Sequence, residues 1–151
     1  VTERVFADFV AHYRLHCADH TKPYAGIEEL LAALREQGCM LAVVSNKADF
    51  AVQTLCEKYF PNTFDAVAGE RAGVRKKPAP DTVNAVLARL GIKREKAVYI
   101  GDSEVDIETA KNAEMDCLSV DWGFRTRDAL LQAGAKRIAS SPRGFLAAME
   151  E

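Results

Sequence analysis

The segment AVYIGDSEVD, residues 97–106, constrains the fold of this chain more than any other stretch. Its apolar run AVYI is short and rich in β-branched and aromatic residues, which is typical of a strand buried on both faces of a parallel sheet. A glycine and three carboxylates follow: Asp102, Glu104 and Asp106. Open α/β sheets bind their ligands just beyond the carboxyl ends of such strands. The simpler alternative is a helix N-terminus capped by Ser103, where acidic residues also favour the positive end of the helix dipole.

Apolar runs alternate with helical patterns through most of the chain. Strands are predicted at 39–45, 64–68, 97–100, 117–120 and, weakly, 137–139. Helices are predicted around the apolar stripes that begin at Ile27, Val52 and Val83, at 104–113 and 127–133, and from Ser141 onward. This alternation predicts βαβ units, and hence an α/β fold with a Rossmann-like parallel sheet and helices on both faces. A further helix predicted at 3–18 precedes the first strand, so we expect it to belong to an accessory lobe.

Composition excludes several functional classes. The net charge of −2 gives no field that would attract nucleic acid or an anionic membrane, and no apolar run approaches the ~18 residues that span a bilayer. The four cysteines show no C-x-x-C spacing, which favours free thiols in a reducing compartment and therefore a cytoplasmic protein. The histidines at 12, 16 and 20 could share a helix face and bind a metal, but no further ligand pattern completes a tetrahedral site.

Polar side chains at three predicted strand or loop ends form a coherent set. Ser45 and Asn46 end the strand at 39–45, Lys77 lies in the loop before the helix that follows Pro80, and Asp102 and Asp106 follow the central strand. A hydroxyl, backbone N–H groups and a lysine are suited to binding a phosphate. Carboxylates alone would repel it, whereas Mg²⁺ binds one or two carboxylates together with phosphate oxygens.

This pattern resembles the haloacid dehalogenase-like hydrolases, and within them the phosphoglycolate phosphatases. The matching segments are HCADHTKPYAG (16–26), VVSNK (43–47), RKKPAPD (75–81), YIGDSEVD (99–106) and WGFR (122–125). The resemblance covers essentially the whole chain, and the three core motifs stand in family order and spacing.

The resemblance implies a role for each member of the set. Ser45, with the backbone N–H of Asn46, would hold the transferring phosphoryl group, and Lys77 would neutralise charge on that group and on the nucleophile. Asp102 would ligate Mg²⁺, and Asp106 would support the metal directly or through water. The implied activity is Mg²⁺-dependent hydrolysis of a small phosphorylated metabolite, with 2-phosphoglycolate as the candidate substrate.

The family's nucleophile has no counterpart in this sequence. It is the first aspartate of a D-x-D-G-T segment on a strand before the cap, and no D-x-D occurs here. We therefore expect residues 1–22 to be the C-terminal part of a helical cap and 23–151 to be a core that lacks its first strand. The aspartyl-phosphate implied by the family would form on a carboxylate upstream of this chain. The alternative is a catalytically inactive phosphate-binding or interaction module that has lost the nucleophile.

In the family the missing strand lies between the strand at 39–45 and the central strand. Its absence would leave a gap of about two strand spacings of ~4.8 Å, with unpaired N–H and C=O groups on both sides. We expect the two flanking strands to pair with each other, to accept a strand from another chain in a homo-oligomer, or to belong to a longer protein. Receiver-type and dinucleotide-binding domains fit poorly, because the first strand ends in serine and asparagine and no G-x-G-x-x-G follows any strand.

Overall fold

The computed structural model describes residues 21–150. The helices are α1 (Ile27–Glu36), α2 (Asp49–Tyr59), α3 (Asp81–Leu90), α4 (Glu104–Asn112), α5 (Arg127–Gln132) and α6 (Pro142–Glu150), with a short 3-10 turn at Arg94–Lys96. The strands are β1 (Ala42–Ala48), β2 (Ala66–Glu70), β3 (Val98–Gly101), β4 (Asp116–Val120) and β5 (Ile138–Ala139). The helix predicted at 3–18 and the three histidines lie outside the described residues.

The strands form two parallel sheets rather than one. β1 pairs with β2, and β3, β4 and β5 pair in that order. No ladder joins β1 to β3 among residues 21–150, so the facing edges of the two sheets keep unpaired backbone groups. Of the three predicted alternatives, pairing of these two strands with each other is therefore wrong, and the other two stay predictions. We call the space between β1 and β3 the β1–β3 slot.

Helices cover both faces of the strands, as the alternation of side chains along β4 demonstrates. Leu118 and Val120 pack with Leu30 and Leu34 of α1 and with Phe145 of α6. The cysteine just before Leu118 packs on the opposite face of the strand, against a cluster formed with α3 and α4. Because successive residues of a strand point to opposite faces, α1 and α6 cover one face of this sheet and α3 and α4 cover the other. The predicted α/β architecture with parallel strands is confirmed.

Helix α3 joins the two sheets on one face. Val83 packs in the cluster that contains Tyr99 of β3, while Val86 packs against Ala66 and Ala68 of β2. Val44 of β1 contacts both clusters. Burial of these side chains holds β1 and β3 in one layer although no strand hydrogen bonds connect them.

Two details of the predicted strands are wrong. The first strand begins at Ala42 and continues to Ala48, so Ser45 and Asn46 lie within it rather than at its end. Strand β3 is buried on one face only, because Tyr99 is 8% exposed whereas Ile100 is 44% exposed. The edge of β3 that faces the slot has no neighbouring strand, so part of the surface of β3 stays exposed to solvent. Within residues 21–150 no helix has the length and apolar character needed to cross a bilayer.

At the amino ends of β1 and β2 the Asp65 carboxylate bonds both to the residue before β1 and to helix α1. Asp65 Oδ2 accepts the Leu41 N–H at 2.8 Å and an Arg35 guanidinium N–H at 2.8 Å. These bonds, the backbone one first, lower the pKa of Asp65 below its ordinary value of 3.8. Because the folded state lowers this pKa, the carboxylate stabilises the fold fully above pH 3.8, and its contribution is lost as the pH falls through the lower folded value.

Replacing this carboxylate is expected to weaken the dependence of the melting temperature on pH in the acid range. In the Asp65→Asn variant, the melting temperature should fall less steeply than in the unsubstituted chain between about pH 5 and pH 2.5. Melting followed by circular dichroism at several pH values measures the slope. Asp116→Asn, an exposed substitution at the start of β4, is the control and should keep the original slope. Identical slopes for all three proteins would contradict the assignment.

Candidate active site

A buried ion pair lies at the carboxyl end of β3. Lys77 Nζ donates to Asp106 Oδ1 at 2.7 Å, and the two side chains are 13% and 8% exposed. Lys77 comes from the loop before α3 and Asp106 from the first turn of α4. The two residues are 29 positions apart in the sequence, and the fold brings them together beside the β1–β3 slot.

Both oxygens of Asp106 are occupied by protein donors. Besides Lys77, the Tyr99 hydroxyl donates to Oδ1 at 2.9 Å. Oδ2 accepts the Ser103 hydroxyl at 2.9 Å and the Asp102 N–H at 3.1 Å. The carboxylate is therefore a hub that fixes the lysine on one side and the end of β3 on the other.

This network sets the ionisation of its members. Burial acts to raise the pKa of Asp106, but the hydrogen bonds it accepts and the charge of Lys77 together outweigh burial, and the pKa lies below its ordinary value of 3.8. Burial, reinforced by the Asp106 charge, raises the pKa of the Tyr99 hydroxyl above its ordinary value of 10.0. At neutral pH the protonated Tyr99 hydroxyl thus donates a hydrogen bond to a charged carboxylate.

The glycine in GDSEVD allows the hub to form. A Cβ on Gly101 would overlap the Asp106 side chain, so any other residue would displace the carboxylate from the end of β3. The glycine thus stands at the end of β3, where the first turn of α4 packs against the strand. Ser103 is the N-cap residue of α4, but its hydroxyl bonds to Asp106 rather than to a helix N–H.

Asn46 connects β1 to the lysine. Its Oδ1 accepts the Lys77 N–H at 2.9 Å, and its Nδ2 donates to the Lys77 carbonyl at 3.1 Å. The Lys77–Pro78 peptide bond is cis. Next to Asn46, Ser45 Oγ accepts the Lys47 N–H at 3.1 Å. This bond uses only an acceptor lone pair of the oxygen, so the hydroxyl hydrogen of Ser45 can still donate to a ligand.

Asp102 is held differently from Asp106. Its Oδ2 accepts the Phe124 N–H at 2.8 Å, and its main-chain oxygen accepts the Arg125 N–H at 3.1 Å. No residue in the described range 21–150 donates to Oδ1, which leaves one carboxylate oxygen available to a ligand. The same range contains no cluster of three His, Cys, Asp or Glu residues that could hold a metal by itself. A cation bound here would complete its shell with water and ligand oxygens, as Mg²⁺ commonly does.

Glu104 does not join the hub. Its carboxylate forms a bidentate pair with the Arg125 guanidinium, with both N–O distances at 2.8 Å. These bonds lower the pKa of Glu104 to about 2. The pair lies on the surface beside Asp102, where it ties α4 to the loop that follows β4.

The fold connects four of the five residues singled out in the sequence by continuous hydrogen bonds, from Asn46 through Lys77 and Asp106 to Asp102. Ser45 is the direct neighbour of Asn46. Sequence reasoning did not identify the roles of Tyr99 or of the Phe124 N–H. Their only sequence signals were an aromatic residue in an apolar strand and a glycine in the segment WGFR.

Comparison with known proteins identifies the family of this chain. The sequence profile of a family described as haloacid dehalogenase-like hydrolase matches residues 1–120 of the 151. The chain belongs to the haloacid dehalogenase-like hydrolases. Among its relatives in this family is a phosphoglycolate phosphatase of Aquifex aeolicus (strain VF5), 36% identical over 117 residues, which are 77% of this chain and 55% of the relative.

Several solved structures share the fold of this chain. A protein from Lactobacillus delbrueckii subsp. bulgaricus, provisionally described as a phosphoglycolate phosphatase, superposes with a TM-score of 0.90 at 46% identity, over 97% of this chain and 62% of that protein. CbbY from Rhodobacter sphaeroides, solved as a mutant in complex with xylulose-(1,5)bisphosphate, gives a TM-score of 0.70 at 32% identity, over 82% of this chain and 57% of CbbY. The resemblance to the phosphoglycolate phosphatase branch is confirmed. The chain spans little more than half the length of the curated relatives that it matches.

Proposed function

We propose that this chain is the body of a Mg²⁺-dependent phosphatase that hydrolyses small phosphomonoesters. The observation that carries the proposal is the buried Lys77–Asp106 pair, at 2.7 Å, linked through the Asp102 N–H to a second carboxylate with one free oxygen. A cation and an available carboxylate side by side suit a phosphoryl group and its metal. Membership of a hydrolase family and relatives that are phosphatases support the same activity.

Each side chain has a distinct task in this proposal. The Ser45 hydroxyl and the Asn46 backbone N–H bind the phosphoryl oxygens, and the Lys77 ammonium neutralises the charge that develops on them. The Asn46 side chain positions Lys77 through its two hydrogen bonds to that residue's backbone. Asp106 supports the metal site indirectly, because both of its oxygens are committed to protein donors.

Asp102 is the proposed metal ligand, through its free Oδ1. A bound Mg²⁺ would supply charge neutralisation and would orient the phosphate for attack. The chain's contribution is a carboxylate held at the end of β3 by backbone donors, beside a lysine that also binds the phosphate. One protein carboxylate in the described residues agrees with the preference of Mg²⁺ for substrate oxygens and water as its remaining ligands.

We propose that the nucleophilic carboxylate enters on a strand that fills the β1–β3 slot. The facing edges of β1 and β3 each present unpaired backbone groups, which a parallel strand would satisfy. A residue at the carboxyl end of such a strand would lie between Ser45 on one side and Asp102 on the other. In the same scheme residues 1–22 are the end of a helical cap and 23–151 form the core domain.

The substrate class is a small phosphorylated metabolite, with 2-phosphoglycolate as the first candidate. The relative from Aquifex aeolicus is a phosphoglycolate phosphatase, whereas CbbY was solved with a sugar bisphosphate, so sugar phosphates are the second candidate. The described core supplies groups that bind the phosphate. Contacts to the organic part of the substrate are expected from the cap.

The test is phosphate release by the product of the complete reading frame, with and without Mg²⁺. We expect turnover of 2-phosphoglycolate or a sugar phosphate only with the metal, and a loss of roughly 10- to 1000-fold in kcat/KM for Ser45→Ala, because one donor to the phosphoryl oxygens is removed. Ser141→Ala, which removes a surface hydroxyl that accepts the Gly144 N–H as Ser45 Oγ accepts the Lys47 N–H, is the matched control. Phosphate binding without turnover would instead favour the non-catalytic phosphate-binding module.

The open slot makes a separate prediction about the 151-residue chain alone. Backbone amides of β1 and β3 that face the slot should exchange with solvent roughly tenfold or more faster than those paired between β3 and β4, since they have no ladder partner. Hydrogen exchange read by NMR measures the difference, and sedimentation reports whether chains associate by exchanging strands. A monomer in which both facing edges are as well protected as the β3–β4 ladder would contradict the open slot.

A further inference from the structure

The loop that follows β4 closes over Asp102. Residues Asp121–Arg125, here called the 121–125 loop, approach the carboxylate so closely that a Cβ on Gly123 would overlap Asp102 Oδ2 and lie 2.6 Å from its Cβ. The next residue donates its N–H to the same Oδ2 at 2.8 Å. The contact joins positions 22 residues apart, and only glycine leaves room for it.

The loop is fixed at both ends. At its start, Asp121 Oδ2 accepts the Ser140 hydroxyl at 2.7 Å, and the Asp121 N–H donates to the Ala139 carbonyl at 3.2 Å. At its end, the Arg125 N–H donates to the Asp102 carbonyl, and its guanidinium grips Glu104 with two bonds of 2.8 Å. The guanidinium also lies 4.6 Å from the centre of the Phe124 ring, which is 73% exposed.

These contacts determine how Asp102 can present its carboxylate. Oδ2 is held by the loop, while Oδ1 has no donor among residues 21–150. An aspartate with two unrestrained oxygens can rotate and bind a cation in several ways, whereas this one can offer a single oxygen in a fixed position. Mg²⁺ requires near-ideal octahedral geometry, so a pre-oriented ligand lowers the cost of binding.

We propose that the 121–125 loop is a clamp that orients Asp102 for metal binding, with Gly123, Phe124 and Arg125 as positioning residues. This inference rests on the proposed function, because it takes Asp102 as the metal ligand. Gly123 permits the close approach, the Phe124 backbone N–H holds Oδ2, and the Arg125–Glu104 pair keeps the loop closed on α4. None of the three positioning residues needs to touch the substrate for the clamp to act.

The test is Mn²⁺ binding to the product of the complete reading frame, followed by electron paramagnetic resonance without substrate. Residues that orient a metal ligand typically contribute roughly 10- to 100-fold to affinity. We expect Gly123→Ala to weaken Mn²⁺ binding by about 10-fold or more, and Arg125→Gln by a smaller factor that Arg125→Lys partly restores, since lysine can still pair with Glu104. Altered hyperfine lines for the bound ion would report changed coordination.

Two matched controls separate the clamp from general destabilisation. Arg35→Gln breaks an ion pair whose arginine has the same 41% side-chain exposure, near the amino ends of β1 and β2. Gly144→Ala adds a Cβ that would lie 3.2 Å from Ser141 Oγ, remote from Asp102 in the sequence. Both variants should bind Mn²⁺ as tightly as the unsubstituted protein.

The outcomes distinguish the clamp from the proposed function. If Asp102→Asn does not weaken Mn²⁺ binding, the metal role of Asp102 fails and the clamp fails with it. If Asp102→Asn weakens binding but Gly123→Ala and Arg125→Gln do not, the clamp alone is overturned. A second measurement needs no metal: the Phe124 amide should be protected from hydrogen exchange and lose that protection in Asp102→Ala. Rapid exchange of this amide in the unsubstituted protein would also overturn the clamp.

Discussion

Asp102→Asn is expected to reduce Mg²⁺-dependent phosphate release by the complete protein about 1000-fold. Asparagine has the same shape, and its amide oxygen can still accept the Phe124 N–H that Asp102 Oδ2 accepts at 2.8 Å. The substitution therefore keeps the loop in place and removes only the negative charge. A metal that stabilises a phosphoryl transition state contributes several kcal/mol, and each step of about 1.36 kcal/mol is a factor of ten in rate.

The measurement for Asp102→Asn is initial-rate phosphate release over a range of Mg²⁺ concentrations. The expected pattern is a low rate that added Mg²⁺ does not restore, together with an unchanged melting temperature. Asp116→Asn removes an equivalent charge at the start of β4, away from the carboxyl ends of the strands, and should retain full activity. Activity of Asp102→Asn equal to that of the control would refute a metal-binding role for Asp102.

Lys77→Met is expected to impair both stability and turnover. It leaves the Asp106 carboxylate, in a residue that is 6% exposed, without its cation at 2.7 Å. Breaking a buried ion pair from one side costs about 3–5 kcal/mol. The Tyr99 and Ser103 hydroxyls and the Asp102 N–H still donate to the carboxylate, so we expect a loss near the lower limit, about 3 kcal/mol in the free energy of unfolding.

A double variant separates the two effects of losing Lys77. In Lys77→Met with Asp106→Asn no charge remains in the pair, so urea unfolding should recover most of the lost stability, while phosphate release stays abolished because no ammonium faces the phosphoryl group. Lys76→Met is the control, since Lys76 is exposed and 3.9 Å from Glu70; it should change stability by less than about 1 kcal/mol. Recovery of turnover in the double variant would refute a direct role for Lys77.

The sequence predicts the architecture well because the fold depends on periodic burial. Apolar stripes at helical spacing and short apolar runs locate the described helices and strands, although the first strand is displaced toward the carboxyl end and runs from Ala42 to Ala48. Glycines mark the ends correctly, as at Gly91, which closes α3 in a left-handed conformation. The wrong details, the start of β1 and the exposure of Ile100, concern the two strands at the slot, where apolar runs alone do not reveal a missing neighbour.

The candidate site was predictable only as a list of residues. The residue types at strand ends, together with the family resemblance, identified Ser45, Asn46, Lys77, Asp102 and Asp106. The resemblance implies different roles for the two aspartates, but the hydrogen bonds that hold each of them were not predictable, because several of the donors come from distant positions. Tyr99 and the Phe124 N–H have no signature in spacing, and only the folded chain places them against the carboxylates.

The role of the β1–β3 slot is tested most directly by comparing two proteins, the 151-residue chain and the product of the complete reading frame, under the same Mg²⁺ concentration. The assay is phosphate release from 2-phosphoglycolate and from sugar phosphates. We expect no turnover by the chain alone, since it has no D-x-D segment to supply the nucleophile, and metal-dependent turnover by the complete product. Equal activity of the two proteins, or no activity in either, would contradict the claim that a strand in the β1–β3 slot completes a phosphatase.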